Sequence, residues 1–384
     1  MSDERKPDWD PRSAEVLCDQ RAAYDAMRER CPVAWSDYLQ WSLFRHADIV
    51  RVLHDHETFS SAASRHLSVP NGMDPPEHTV YRRLVEPYFA AARVDAFEPS
   101  CRQLAADLVD RVLARGEVEF MAGFARPFAV AVQCAFMGWP PSLHEPLASW
   151  TRKNQEATLA RDQAAMSDIA REFEGFIDQM LDARRRAGAK PGDDVTAALM
   201  HETVGGRPLG DKEIASILRN WTVGEVGTIA AAVGIVVEYL SRDAGLQDRL
   251  RDRPELLPAA IDEILRIHGP LVANRRVATR PVEIGGRTIA AGERLSLVWI
   301  AANRDGRVFD DPEAFRLDRD PAANLLYGAG IHVCPGAPLA RMELRVVIEE
   351  LLGRATGIDP VPGKAATRAA YPASGFADLP VRIR

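Results

Sequence analysis

Cysteine is scarce and unpatterned in this chain: Cys18, Cys31, Cys101, Cys134 and Cys334 among 384 residues, with no CxxC pair. That argues against a disulfide framework and for a reducing compartment. Dense Lys/Arg runs are missing and the net charge is −7, so neither nucleic acid nor an anionic membrane is an expected partner. The longest apolar run, Val226 to Val237, is too short to span a bilayer. The start, Met1-Ser-Asp-Glu-Arg-Lys-Pro, is polar and reads as neither signal peptide nor anchor. No repeat, low-complexity stretch or dividing linker stands out. These absences predict a cytoplasmic protein with a single domain over residues 1–384.

What is present is a chain with 46% hydrophobic residues, enough for a large core. Helical spacing covers Ser13 to Arg30, Asp48 to Leu53, His78 to Phe89 and Ala96 to Leu113. Pro127 to Met137 reads as a buried helix, Leu147 to Ala187 as two long polar-faced ones. Another starts at Asp211 and runs to about Leu240. Strand-like pieces occupy Trp35 to Phe44, and Val282 to Ile289 forms two short runs about a Gly285-Gly286 turn. The apolar run Leu295 to Ile300 extends this β region. The expected fold class is mainly α with a minor β region, without regular βαβ alternation.

The chemistry concentrates in Tyr327-Gly-Ala-Gly-Ile-His-Val-Cys-Pro-Gly336. Gly328, Gly330 and Gly336 permit a tight backbone path with positive φ, which lets a flat ligand approach the main chain. A helix from about Pro338 to Arg354 points its N-terminal N–H groups at Cys334, which favours the thiolate. His332 offers a polar edge to the same ligand. The bland reading, a glycine-rich turn with a buried thiol, does not account for so many constraints within ten residues. The stretch resembles the haem-binding signature of cytochromes P450, with Tyr327 where that family usually has Phe.

The resemblance extends over most of the chain from about residue 20. Asp74-Pro-Pro-Glu-His-Thr-Val-Tyr-Arg82 matches the family segment whose His and Arg meet the haem propionates, here His78 and Arg82. By residues alone, that face could equally be an exposed polar one. Arg276 matches a further propionate contact, with Arg275 adjacent, and His332 another. Glu263-Ile-Leu-Arg266, by default a surface ion pair, matches the family's Glu-x-x-Arg motif. Arg319 would be its third, purely structural partner. Tyr327, Gly328, Cys334 and Gly336 would contact the cofactor, haem b, with Cys334 as the iron ligand.

Trp221-Thr-Val-Gly-Glu-Val-Gly-Thr228 departs from the pattern. Aligning Thr228 with the family threonine puts Gly227 where an Asp or Glu usually stands and Glu225 at the usual glycine. The family's acid helps relay protons during oxygen activation. Either Glu225, one turn back, or ordered water at Gly227 would have to replace it, and a plain core or surface role for Glu225 is equally open. Gly224 and Gly227 suggest a widened groove; for Gly234 close packing competes with that reading. The segment Ala62 to Met73 is short for the family, leaving either an open pocket or a lid from other segments.

The resemblance implies a haem-thiolate monooxygenase inserting one oxygen atom from O2 into a C–H bond of a small, largely apolar organic molecule. It would be fed by NAD(P)H through a ferredoxin-type donor and its reductase, since no reductase segment is fused. Arg82, Arg83, Arg341 and Arg345 are candidates for docking that donor. The rivals are a hydrogen peroxide-driven peroxygenase or oxidative-coupling enzyme, suggested by Gly227, and a non-catalytic haem sensor.

Overall fold

The computed structural model describes residues 5–64 and 66–384, so the polar Met1–Glu4 stretch and Arg65 of the short loop lie outside the described residues. The chain forms two compact units, one of 1–66, 71–75 and 262–334, the other of 67–70, 76–261 and 335–384.

The first unit is built on a five-stranded sheet. Strands Val33–Ser36 and Gln40–Leu43 pair antiparallel. Arg294–Val298 lies parallel to the second of these and antiparallel to Ala273–Ala278, which carries Phe59–Ser60 at the edge. The apolar run from Leu295 is therefore a central strand, with Leu295 and Leu297 fully buried. Trp41, Leu43, Ile49, Leu53, Phe59 and Leu325 join them in one core cluster. The hairpin at Gly285-Gly286 forms as its sequence implies, both glycines at positive φ.

The second unit is helical. Ala91–Arg115, Arg126–Met137, His144–Ala160, Gln163–Ala187, Asp211–Ser241 and Ala337–Arg354 are its main helices. A small sheet orders Ile358–Pro360, Pro380–Ile383 and Glu117–Glu119. Ala91–Arg115 begins five residues before the expected Ala96 and runs through Pro99, whose missing N–H is tolerated on an exposed face. The apolar run Val226 to Val237 sits within Asp211–Ser241, which is long and apolar enough to cross a membrane by length and composition. Every residue from Ile229 to Val237 is buried, as in a core helix.

The short Ala62–Met73 segment is partly pinned in place. Ser216 accepts from the Val69 N–H at 2.9 Å and donates to the Leu67 carbonyl at 2.9 Å. Asn220 donates to the Val69 carbonyl, also at 2.9 Å. Residues Leu67–Pro70 are thereby stitched to the first half of the Asp211–Ser241 helix.

Candidate active site

The cysteine loop is held by its own backbone. Cys334 N–H donates to the Tyr327 carbonyl at 2.8 Å, and Val333 N–H to Gly330 at 3.1 Å. Gly328 and Gly330 have φ of 73° and 70°. At Gly330 a Cβ would stand 2.2 Å from the Leu53 carbonyl oxygen, so glycine is required twice over there. Gly336 departs from expectation: its φ is −81°, and it serves as the cap of Ala337–Arg354 rather than as a left-handed residue. Cys334 itself is exposed.

Behind the loop stands the expected ion network. Arg266 grips both oxygens of Glu263 at 2.8 and 2.9 Å, and Arg319 reaches Glu263 at 2.7 Å. Arg266 also donates to the Asn303 carbonyl at 2.6 Å, and the Asn303 side chain accepts from Leu325 N–H at 2.8 Å. A buried pair this well coordinated repays its desolvation because each guanidinium nitrogen of Arg266 finds an acceptor. The chain of contacts ends two residues before Tyr327, so its role is to hold the loop's approach.

Arg276 sits on the strand Ala273–Ala278 and is buried, whereas Arg275 is exposed. Its guanidinium donates to the Arg275 carbonyl at 2.7 Å and forms no ion pair among the described residues. Burial holds its pKa down to about 10, and the nearest attracting anion is Asp74. Asp74 is already engaged with Ser60 and with Ser61 N–H at 2.9 Å. A buried guanidinium without a counter-ion is a site that a ligand carboxylate would satisfy.

On the helix Glu77–Val85, His78 and Arg82 are both buried, which removes the exposed-face reading. Arg82 pairs with Glu86 at 2.7 Å. Of the arginines considered for donor docking, Arg345 is tied to Glu98 and Glu349, and Arg83 and Arg341 are exposed.

On the central helix, Thr228 and Glu225 make different contacts. The Thr228 hydroxyl donates to the Gly224 carbonyl at 2.5 Å and lies 3.3 Å from the Glu225 carbonyl. The Glu225 carboxyl reaches away from it, to Gln133 on Arg126–Met137. With the Gln133 amide turned as its neighbours require, its nitrogen lies 3.2 and 3.3 Å from the two carboxylate oxygens and its oxygen 3.2 Å from the Thr222 hydroxyl. The carboxyl of Glu343, fully buried on Ala337–Arg354, interacts with that of Glu225, and neither of its oxygens meets a hydrogen-bond donor among the described residues. Burial raises both acids, Glu225 to about 7 and Glu343 well above the usual carboxylate range. Cys101, beside the pair, has its thiol pushed up by burial and by both carboxyls.

Sequence reasoning missed Glu343, Gln133 and Thr222. One signal was available: Glu343 falls on the apolar stripe Leu339, Val346 and Val347, where an acid is out of place. At Gly227 a Cβ would meet only the Gln155 amide, at 3.7 Å, so the position has room for a side chain.

The cytochrome P450 family profile matches residues 135–355. The cyclomarin C epoxidase of Salinispora arenicola is 32% identical over 352 residues, 87% of this chain and 88% of its own. The erythromycin C-12 hydroxylase of Saccharopolyspora erythraea is likewise 32% identical, over 88% of each chain. A P450 of Bacillus megaterium, solved in complex with testosterone, superposes with a TM-score of 0.87 at 26% identity, covering 96% of this chain and 99% of that one.

Proposed function

We propose, for a chain that belongs to the cytochrome P450 family and is a haem monooxygenase, a specific assignment of residues, substrate class and electron donor. Cys334 is the thiolate ligand of the haem iron. His78, Arg82, Arg276 and His332 take the propionates, and Tyr327, Gly328 and Gly336 line the loop side of the cofactor. The observation that carries this reading is Arg276: a buried cation, unpaired among the described residues, has the chemistry of a propionate partner. Once bound, the haem supplies the oxidising power for oxygen insertion. The chain's own part is to hold sulfur, orient substrate and keep protons at hand. Thr228 keeps its hydroxyl proton on the Gly224 carbonyl until a better acceptor presents itself.

The substrate is a medium-sized, largely apolar metabolite. Of seven large apolar residues exposed among the described residues, Leu67, Leu159, Val223 and Leu271 fall in Ala62 to Met73, Trp150 to Asp168, Val223 to Thr228 and Leu271 to Asn274, segments that line the substrate pocket by family resemblance. An apolar substrate would cover such side chains. Among the relatives named above, one is a cyclomarin C epoxidase, one an erythromycin C-12 hydroxylase, and one was solved with testosterone. A ferredoxin-type donor with its NAD(P)H reductase delivers electrons, and both units serve one catalytic domain in the cytoplasm.

The test is the carbon monoxide difference spectrum of reduced protein, beside Cys334→Ser and Arg276→Gln. The long-wavelength Soret band of thiolate ligation is expected in the parent, lost in C334S, and kept with weaker haem retention in R276Q. A parent without that band would overturn the ligand assignment. Turnover with hydrogen peroxide as fast as with reductant and O2 would overturn the donor assignment and favour the peroxygenase reading that Gly227 invites.

A further inference from the structure

The first half of the central helix Asp211–Ser241 carries a cation that the assignment above leaves unused. Arg219 stands one turn before Val223, and its guanidinium forms no ion pair among the described residues. It donates to the Leu67 carbonyl, the same oxygen that accepts from the Ser216 hydroxyl. Burial holds its pKa below the usual arginine range, as it does for Arg276. The acid acting on it is Glu174 of Gln163–Ala187, which lies beyond ion-pair distance. A carbonyl uses little of a guanidinium, whose planar fork of N–H donors fits a carboxylate with two parallel bonds. Next to this cation the helix is uncovered. Val223 is 47% exposed, and Leu67, on the segment riveted alongside, 46%. A Cβ at Gly224 would meet nothing within 4 Å, and one at Gly227 only the Gln155 amide of His144–Ala160. The open strip therefore has Leu67 and a positive charge at one end, an apolar or bare floor along Val223, Gly224 and Gly227, and Thr228 at the other end.

We propose that Arg219 is a specificity-determining residue that seats the carboxylate of the substrate, an apolar monocarboxylic acid whose body lies along Val223, Gly224 and Gly227 with the carbon to be oxidised beside Thr228. The proposal rests on the monooxygenase reading of the site and narrows its apolar substrate to an acid. Arg219 and Thr228 lie on one helix, so the rise per residue separates their Cα atoms by ~13 Å along its axis. The arginine side chain spans part of that distance, which leaves on the order of 10 Å between carboxylate and oxidised carbon. The carboxylate breaks no internal ion pair on binding, and it meets a cation already partly stripped of water, where a charge-assisted bond is strong. Glu174 works against it, because a second anion near the same guanidinium repels the first. A preference for acids over neutral analogues follows, and so does a gain when Glu174 is neutralised.

Binding to the holoenzyme is read from the substrate-induced Soret shift and from calorimetry. The probes are straight-chain acids from hexanoate to dodecanoate and para-alkylbenzoates from ethyl to hexyl, each beside its neutral primary amide. The parent is expected to bind at least one acid ~10-fold or more tightly than the matching amide, the size of a hydrogen bond to a charged group. R219Q is expected to lose that advantage while its affinity for the amide stays the same. E174Q is expected to tighten the acid several-fold and leave the amide where it was, a change that a merely structural Arg219 would not give. Equal losses for acid and amide in R219Q would show that Arg219 only holds Leu67 in place, and would overturn the proposal. A parent that prefers no acid of either series, or binds none, would overturn it too. The carbon monoxide spectrum of each variant is recorded alongside. A parent without the thiolate band fails the haem monooxygenase reading itself, whereas a normal band with no preference for acids fails this inference alone.

Discussion

A carboxyl that stays protonated near neutrality binds a proton that the unfolded chain gives up. Burial puts Glu225 in that state, its pKa raised from 4.5 to about 7, and Glu343 shifts in the same direction. The sign follows from linkage: the folded state holds more protons across this window, so stability is fullest near or below pH 4.5 and declines as pH rises through 7. Urea denaturation between these limits is expected to show that decline in the parent and a flatter profile in E225Q/E343Q, with the double variant gaining on the parent at the alkaline end. Of the single residues, Glu263, Arg266 and Arg319 were legible through a family motif and form the ion network it implies, whereas the burial of His78 followed only from the family match and not from the residues themselves. The acid pair was not, because its members lie far apart in the sequence and only packing brings them together.

Among elements, the central helix shows how three glycines in one segment can have different reasons. A Cβ at Gly234 would come 2.5 Å from the Met121 sulfur, so this one is a packing glycine. Gly224 has nothing within 4 Å and Gly227 only an ordinary contact. Gly227→Ala is therefore expected to stabilise by up to ~1 kcal/mol on helix propensity. Gly234→Val is expected to destabilise by about 1–3 kcal/mol, since Met121 is itself buried and has little room to yield. Thermal or chemical unfolding of the two variants checks the opposite signs. Helices here were largely readable from period alone, with ends off by a few residues: Gln163–Ala187 and Asp211–Ser241 carry strong patterns and clear caps. Strands such as Ala273–Ala278 were not, because their partners come from distant segments, and the short π-helical segment Met121–Ala125 carried no pattern of its own. Gly336 was misjudged because its place among other loop glycines suggested a positive φ that the helix cap does not need.

For the molecule as a whole, a net charge of −7 opposes an acidic electron donor at long range, so attraction has to come from local basic groups. Of the four arginines considered, Arg83 and Arg341 are exposed. Their replacement by Glu is expected to raise the KM for an acidic ferredoxin several-fold, less so at high salt, while the carbon monoxide spectrum stays unchanged. Donor-concentration series at two ionic strengths would show it. The split of the chain into two compact units, with the segment around residue 70 changing allegiance three times between residues 66 and 76, was invisible to a sequence reading that found no linker. Yet that segment holds the more far-reaching lesson. Because Ser216 and Asn220 rivet Leu67–Pro70 to the helix carrying Thr228, the wall nearest those residues is on a short leash. Two substitutions at the rivets alone would lengthen that leash and widen the repertoire of molecules the enzyme admits, giving selection a dial separate from the cysteine loop.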